Sequence, residues 1–263
     1  MAENLPAKAL SYSNDGDRYF SNGEYAKALS SFGKALDIYK TNLPPNHPYI
    51  ATSYNNIGLV NDNMGEHAKA LSSFEQALKI YKIALPPNHP ELATAYNNIG
   101  GAYRNMGEIA KALSYYEQAL EIGKITLPPN HPDMATSYNN IAAVYYNMND
   151  FSKALSSYER AVDIYKVALP PNHPDLASAY NNIGFVYTKT GKYSEALPYY
   201  ERSLKIRKIA LPPNHPNMAT SYNNIAALYE KMGEHAKALS YYEKAEEIEE
   251  NAEEIEENDE EIE

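Results

Sequence analysis

The stretch LPPNHPELATAYNNIG, at residues 85–100, decides the fold because related stretches recur along the chain. Its first six residues occur five times, at intervals of 42 residues. The histidines of these copies are His47, His89, His131, His173 and His215. A fixed period of this size is typical of solenoids, in which each unit buries its apolar face only against its neighbours. The five copies lie between successive units and therefore divide the 263 residues into six units.

Each unit contains two amphipathic helical patterns. In the unit at 86–127, Leu92, Tyr96, Ile99 and Tyr103 recur at spacings of three and four, which indicates one helix. A second apolar stripe follows at Ile109, Ala112, Leu113, Tyr116, Ala119, Leu120 and Ile122. Together the two patterns predict a helical hairpin in each unit.

Local signals mark where these helices begin and end. His89 is expected at the N-cap, with Pro90 at the first helical position, where a proline removes no helical hydrogen bond. Gly107 is expected to end the first helix. Pro128 and Pro129 are expected to end the second helix, because neither has a backbone N–H to donate.

Charge and composition exclude several classes of function. Residues 245–263 contain eleven Glu and Asp259 but no Lys or Arg, whereas residues 1–244 contain 22 acidic and 23 basic residues. No basic stripe is available to neutralise phosphates, so we expect no binding to nucleic acid. The chain has no cysteine, which fits a reducing compartment, and no stretch of the roughly 20 apolar residues that a membrane span needs. We expect a cytoplasmic protein that does not enter membranes.

The order of large and small residues resembles that of the tetratricopeptide repeat. The residues that carry the resemblance are Tyr96, Ile99, Gly100, Tyr103, Gly107, Ala112, Tyr116 and Ala119. The 42-residue unit, with His-Pro opening the first helix and Asn-Asn inside it, is similar to the repeats of kinesin light chains. The resemblance implies an all-α, right-handed α-solenoid of six helical hairpins with a C-terminal helical extension. The small residues predict that the two helices of a hairpin approach closely.

We divide the chain into a solenoid at 1–248 and an acidic tail at 249–263. The six units span about 6–43, 44–85, 86–127, 128–169, 170–211 and 212–248. The heptad AEEIEEN occurs at 245–251 and again at 252–258, and it places a thin apolar seam at Ala245, Ile248, Ala252, Ile255 and Ile262. The tail is expected to be helical or frayed. Either it is a solvated extension, or its seam docks in cis or in trans.

No catalytic or metal-binding constellation emerges from the sequence. Equivalent histidines on stacked helices should lie about 8–10 Å apart, far beyond the roughly 2 Å of metal ligation. The chain contains no Gly-rich phosphate loop, no His-Glu-x-x-His and no Gly-x-Ser-x-Gly motif. We expect no enzyme activity, no metal and no cofactor. His67 and His235 occupy a slot that is aromatic in other units, and they are interpreted as packing variants.

A pair of asparagines in the middle of each first helix stands out, because asparagine is a mediocre helix former. The second member of the pair is Asn56, Asn98, Asn140, Asn182 or Asn224, and the first is Asn55, Asn97, Asn139, Asn181 or Asn223. One explanation is hydrogen bonding between adjacent repeats. The other is display to a ligand, since an amide offers both a donor and an acceptor. The resemblance implies that the second asparagine of the pair binds the backbone of a peptide ligand.

The resemblance also implies a concave groove lined by the first helices. Its candidate residues are Asn56, Asn98, Asn140, Asn182, Asn224, Asn97, Asn139, Asn181, Thr94, Thr136, Gly101, Ala143, Phe185, Arg104 and Tyr146. The groove should be polar, small and nearly uncharged. The paired Lys and Arg with which chaperone-binding relatives clamp a carboxylate are absent from the matching slots. Only Arg104, Lys189 and Lys231 could supply the basic charge expected of a kinesin light chain groove.

The leading hypothesis from the sequence is a non-catalytic interaction module that holds an extended peptide of another protein in this groove. A bulky ligand side chain is expected near Gly101 and Ala143, where the groove has room. The alternative is a structural or engineered repeat scaffold without a dedicated ligand. Self-association through the ends or the acidic tail is a further alternative.

Overall fold

The computed structural model describes the backbone of residues 5–260 and the side chains of residues 7–251. Within these residues the chain forms helices and no strand. The twelve helices are α1 Leu5–Ser21, α2 Tyr25–Asn42, α3 Pro48–Asn63, α4 His67–Ala84, α5 Pro90–Asn105, α6 Ile109–Thr126, α7 Pro132–Asn147, α8 Phe151–Ala168, α9 Pro174–Lys189, α10 Tyr193–Ala210, α11 Pro216–Lys231 and α12 His235–Glu260.

The helices pack as consecutive hairpins in two compact units. The first unit ends at Pro128 and the second begins at Pro129. In the first unit, α1 packs on α2, α3 on α4 and α5 on α6, and each hairpin also contacts the next one. The second unit repeats this order with α7 to α12. The prediction of an all-α solenoid built from six helical hairpins is confirmed.

The predicted caps are present at the starts of five first helices. In each case Nδ1 of the histidine in the repeated Leu-Pro-Pro-Asn-His-Pro motif accepts a hydrogen bond from the backbone N–H two residues later, at 3.1–3.2 Å. His89 therefore caps α5, and Pro90 occupies the first helical position. The five histidines satisfy helix N-termini, which is the role interpreted from the sequence.

The turns inside the hairpins also follow the local signals. Gly107 has a φ of +79°, a left-handed conformation that glycine adopts without strain. In the fourth hairpin Asn149 takes this position with a φ of +59°, which asparagine tolerates better than most residues. At the other end, α6 stops at Thr126, just before the two prolines.

Close contact between the helices of a hairpin depends on small residues. An added Cβ at Gly100 would lie 2.8 Å from Cδ1 of Tyr116, a side chain that is only 2% exposed. Gly58 lies against Phe74 and Gly184 against Tyr200 in the same way. The close approach predicted from the small residues is therefore observed within each of these hairpins.

The last helix is longer and more polar than its equivalents. Helix α12 has 26 residues, whereas α10 has 18. Glu246 is exposed at the slot where Leu204 is buried in the preceding hairpin. The backbone is helical through Glu260, whereas residues 261–263 and the predicted seam side chains of Ala252, Ile255 and Ile262 lie outside the described residues.

Candidate functional site

The asparagine pairs join adjacent repeats by hydrogen bonds. Nδ2 of Asn98, in α5, donates to Oδ1 of Asn55, in α3, at 2.8 Å. In the second unit Asn182 donates to Asn139 at 3.1 Å, and Asn224 donates to Asn181 at 3.0 Å. The second asparagine of one repeat thus binds the first asparagine of the repeat before it.

These bonds use only half of each side-chain amide. No hydrogen bond within the described part of the chain involves Oδ1 of Asn98, Asn182 or Asn224. Their side chains are half-buried, so part of each amide remains open to solvent. The inter-repeat bond therefore orients each amide and leaves it a carbonyl acceptor.

Other asparagines of the predicted site differ in the hydrogen bonds that their side chains make. Asn56 and Asn140 are half-buried, and their side chains make no hydrogen bond within their own units. Oδ1 of Asn97 is buried and finds no partner among the described residues. At the end of the chain, Asn223 donates to Glu249 Oε1 of α12 at 3.4 Å. Helix α12 thus contacts the first asparagine of the sixth hairpin.

The predicted threonines are exposed but already hydrogen-bonded. Oγ1 of Thr94 and of Thr136 donates to the carbonyl four residues earlier, at 3.4 and 3.3 Å. The Thr136 hydroxyl also lies 3.1 Å from the hydroxyl of Tyr165. These side chains add polarity to the surface, and their hydrogen-bonding capacity is largely used.

Small and apolar residues extend the asparagine-bearing face one turn further along each first helix. A Cβ at Gly101 would meet only Oη of Tyr116, at the ordinary contact distance of 3.7 Å. Ala143 is also small and half-buried. Phe185 is 40% exposed, and its ring meets the ring of Tyr200 edge-on at 5.7 Å. The face therefore offers open space in one place and an exposed aromatic ring in another.

Arg104 and Tyr146 complete the predicted set. Both are half-buried, and the Tyr146 ring lies 5.7 Å from Phe151. Within the first unit, Thr94, Asn98 and Gly101 share one face of α5 because they are spaced by four and three residues.

A polar cluster that sequence reasoning missed lies at the end of the same face. Nδ1 of His67 lies 2.7 Å from Oδ1 of Asp62. Nδ2 of Asn105 donates to both carboxylate oxygens of Asp62, at 3.2 and 3.3 Å. Asn105 follows Asp62 by 43 residues, the same offset that separates Asn98 from Asn55. That offset was the available signal for the contact between Asn105 and Asp62. The hydrogen bond with Asp62 shows that His67, interpreted from the sequence as a packing variant, also has a polar partner.

Burial raises the pKa of two tyrosines that pack behind these surfaces. Burial raises the pKa of Tyr81 to about 12, although its hydroxyl lies 3.0 Å from that of Thr52. Burial likewise raises the pKa of Tyr200 to about 12, although a hydrogen bond with Thr188 acts to lower this pKa. The described residues include no cluster of three His, Cys, Asp or Glu able to hold a metal ion. This surface can form hydrogen bonds and apolar contacts.

Comparison with known proteins identifies the family. The tetratricopeptide repeat profile matches residues 8–83, 87–166 and 171–251. The chain is a tetratricopeptide repeat protein. The family is generally a protein–protein interaction module, and no family of enzymes is indicated. No curated protein sequence matches the chain.

Solved structures share the fold of this tetratricopeptide repeat protein at low identity. BtubC (BKLC) from P. vanneervenii is 21% identical, with a TM-score of 0.71 over 95% of this chain and 92% of that one. A kinesin light chain-type protein from Podosopora anserina, with nearly identical TPR-like repeats, is 23% identical, with a TM-score of 0.67 over 78% of this chain and 98% of that one. The apo form of RapI is 17% identical, with a TM-score of 0.67 over 94% and 99%. The predicted likeness to kinesin light chain repeats is confirmed at the level of fold.

Over the described residues, no helix of this tetratricopeptide repeat protein is both long enough and apolar enough to cross a membrane.

Proposed function

We propose that this tetratricopeptide repeat protein is a non-catalytic module that binds an extended peptide segment of another protein along the faces of its first helices. The observation that carries the proposal is the half-used asparagine amide. Asn98, Asn182 and Asn224 are each oriented by an inter-repeat bond, and each retains a carbonyl acceptor. A carbonyl acceptor suits a peptide backbone N–H, because that donor is present in nearly every residue.

The spacing of the repeats favours a particular ligand conformation. Packed helices lie about 8–10 Å apart. A polyproline II segment advances about 3.1 Å per residue and completes a turn in three residues, so its equivalent backbone N–H groups recur about every 9 Å. Asn182 and Asn224, on neighbouring first helices, would then contact every third residue of the ligand. An extended β-strand, with its two-residue period, matches this spacing less well.

Side-chain selectivity would come from the positions beside the asparagines. The open space at Gly101 accommodates a bulky ligand side chain in the first unit, and Ala143 does the same in the second. Phe185 offers an exposed ring to an apolar ligand residue. Arg104 is the one charged residue of the predicted set, so the ligand needs no particular net charge. We place this activity in the cytoplasm, as expected from the sequence.

A peptide-display selection tests the proposal. The full chain is compared with a triple variant, Asn98→Ala, Asn140→Ala and Asn182→Ala. A matched control carries Asn88→Ala, Asn130→Ala and Asn172→Ala, three exposed asparagines of the connecting loops. We expect peptides enriched on the full chain and on the control to be lost from the triple variant, provided that circular dichroism shows equal helicity. Equal enrichment on all three proteins would reject the proposal.

The inter-repeat bonds themselves support a second candidate, a repeat scaffold whose asparagines serve assembly alone. Asn98 and Asn55 would then contribute only to the packing of α5 on its neighbour. In that case no peptide is enriched on the full chain, while the triple variant still loses stability. The selection therefore separates the two candidates.

A further inference from the structure

A pocket recurs where consecutive hairpins meet, on the side of the first helix opposite the asparagines. Each is lined by residues of the Pro-Pro-Asn connection, a tyrosine of the following first helix and the second helix after it. A lysine Nζ lies over the tyrosine ring, 4.9 Å from its centre for Lys40 and Tyr54 and 6.0 Å for Lys166 and Tyr180. The tyrosine precedes the second asparagine of its helix by two residues, which is about 200° of helical rotation.

One of these pockets is strongly cationic. We define the cationic pocket as the cavity of about 360 Å³ lined by Lys166, Arg202 and Lys205 around Tyr180. The guanidinium of Arg202 lies 5.7 Å from the centre of the Tyr180 ring. Among the residues that the structure describes, no carboxylate lines this cavity. Lys166 lies 3.9 Å from Asp163, which does not line the cavity, while Arg202 and Lys205 form no ion pair with any described carboxylate.

Equivalent pockets show that this charge is not needed to join hairpins. The slots of Arg202 and Lys205 are occupied by Gln118 and Glu121 in the pocket that α6 forms with Pro87 and with Tyr96 of α5. They are occupied by Gln76 and Lys79 in the pocket formed by α2, α3 and α4. Since neutral and acidic residues serve at these slots, the positive charges of the cationic pocket are free for a ligand.

A buried arginine adds to the positive potential nearby. Nη1 of Arg207 donates to the carbonyl of Asn217 at 3.0 Å and to Oγ of Ser221 at 2.7 Å. Both acceptors are neutral, so no described carboxylate balances its charge. Residues 202–208 therefore contain four basic residues and no acidic one.

We propose that the cationic pocket binds the acidic segment 249–263 of a second copy of this chain. That segment contains ten acidic residues and no basic one, whereas residues 1–244 have 23 basic residues against 22 acidic ones. The chain therefore carries a strongly anionic segment, and its cationic pocket brings three basic side chains together with no described carboxylate in the lining. Charge complementarity of this kind selects partners and accelerates their encounter.

The course of α12 argues for binding between copies. By the 42-residue register, Ala210 at the end of α10 corresponds to residue 252, so α12 continues for eight residues beyond its equivalent. At 1.5 Å per residue this extension is about 12 Å long. Helix α12 packs mainly on α11, and none of the residues that line the cationic pocket belongs to α12, which leaves the acidic segment available to another molecule.

Sedimentation equilibrium of the full chain, at about 10 mM and about 300 mM salt, tests the proposal. The pocket variant is Arg202→Gln with Lys205→Glu, which installs residues that the chain itself uses at these slots. The matched control is Lys40→Gln with Lys79→Glu, the same change in charge in a different pocket. A third protein carries Gln in place of Glu253, Glu254, Glu256 and Glu257.

We expect the wild-type chain to associate at low salt, and to do so at least tenfold more weakly at high salt, where charges are screened beyond about 6 Å. The pocket variant and the tail variant should each associate about tenfold more weakly, a change of about 1.4 kcal/mol. The control should stay within twofold of the wild type. A chain that is monomeric at low salt would overturn the proposal, and so would equal effects of the pocket variant and the control. Because Asn182 lies on the opposite side of α9 from Tyr180, Asn182→Ala should leave the association unchanged, so this test is independent of the test of peptide binding.

Discussion

Replacing Gly100 and Gly101 by alanine, one at a time, should change stability in opposite directions. The two glycines are neighbours in α5, so each substitution gains about the same helix propensity, about 0.8–1 kcal/mol. The difference between the variants therefore reports the packing of the added methyl group alone. Gly101 lies in open space, whereas Gly100 lies against the ring of Tyr116.

The expected magnitude follows from the contact distances. At Gly101 the nearest atom to the new Cβ is 3.7 Å away, so the free energy of unfolding should rise by the full propensity gain. At Gly100 the new Cβ would lie 2.8 and 2.9 Å from two carbons of Tyr116, against an optimal separation of about 3.5–4.0 Å. Overpacking a buried site costs about 1–3 kcal/mol. Ala142 fills the equivalent slot opposite Tyr158, so the ring can adjust, and we expect a cost of about 1–2 kcal/mol.

Equilibrium unfolding in urea measures both variants against the wild-type chain. We expect Gly101→Ala to raise the free energy of unfolding by about 1 kcal/mol and Gly100→Ala to lower it by up to about 1 kcal/mol. The m-values should be unchanged, because neither substitution alters the surface exposed on unfolding. Equal stabilisation by both would refute the close helix approach, and destabilisation by Gly101→Ala would refute the open space proposed for a ligand.

Three further predictions concern the site and its support. Gly101→Leu should abolish binding of a selected peptide without loss of helicity or stability, because the leucine side chain would fill the open space. Calorimetric titration measures the binding, and undiminished affinity would contradict the proposed location of the ligand. Arg207→Tyr should raise the free energy of unfolding by about 1 kcal/mol, since a buried charge without a carboxylate partner is often replaced without loss. Tyrosine already occupies the equivalent slots at Tyr81 and Tyr165. A large loss of stability in urea unfolding would show that the Arg207 hydrogen bonds are indispensable. The free energy of unfolding should fall as pH rises from about 10 to about 12. Tyr81 and Tyr200 remain protonated in the folded protein, with pKa values of about 12, whereas tyrosine in the unfolded chain ionises near pH 10. Tyrosinate absorbance combined with urea unfolding measures this change, and constant stability over that range would contradict it.

Local chemistry allowed much of the fold to be predicted. His89 and Pro90 begin α5 and Gly107 follows its end because caps and turns depend on a few neighbouring residues. The hairpin count follows from the repeat, since each 42-residue unit brings the same apolar stripes. The contact of Gly100 with Tyr116 follows as well, because small residues opposite large ones favour close packing.

The arrangement of the site depends on how one repeat packs against the next. The sequence identified the asparagines but did not reveal that Asn98 bonds to Asn55, one residue short of its own equivalent. The same shift brings Asn105 to Asp62, which then also holds His67. A single sequence shows which residues share a slot, whereas this shift is determined by the packing between helices.

The most direct test of the central claim compares two sets of asparagine substitutions in calorimetric titrations with a selected peptide. Asn98→Ala with Asn182→Ala removes the proposed ligand contacts and also breaks two inter-repeat bonds. Asn55→Ala with Asn139→Ala breaks the same two bonds from the other side and keeps the carbonyls of Asn98 and Asn182. We predict at least a tenfold loss of affinity, about 1.4 kcal/mol, for the first pair and less than a threefold loss for the second. Equal losses would contradict the account, because the asparagines would then serve only to join the repeats.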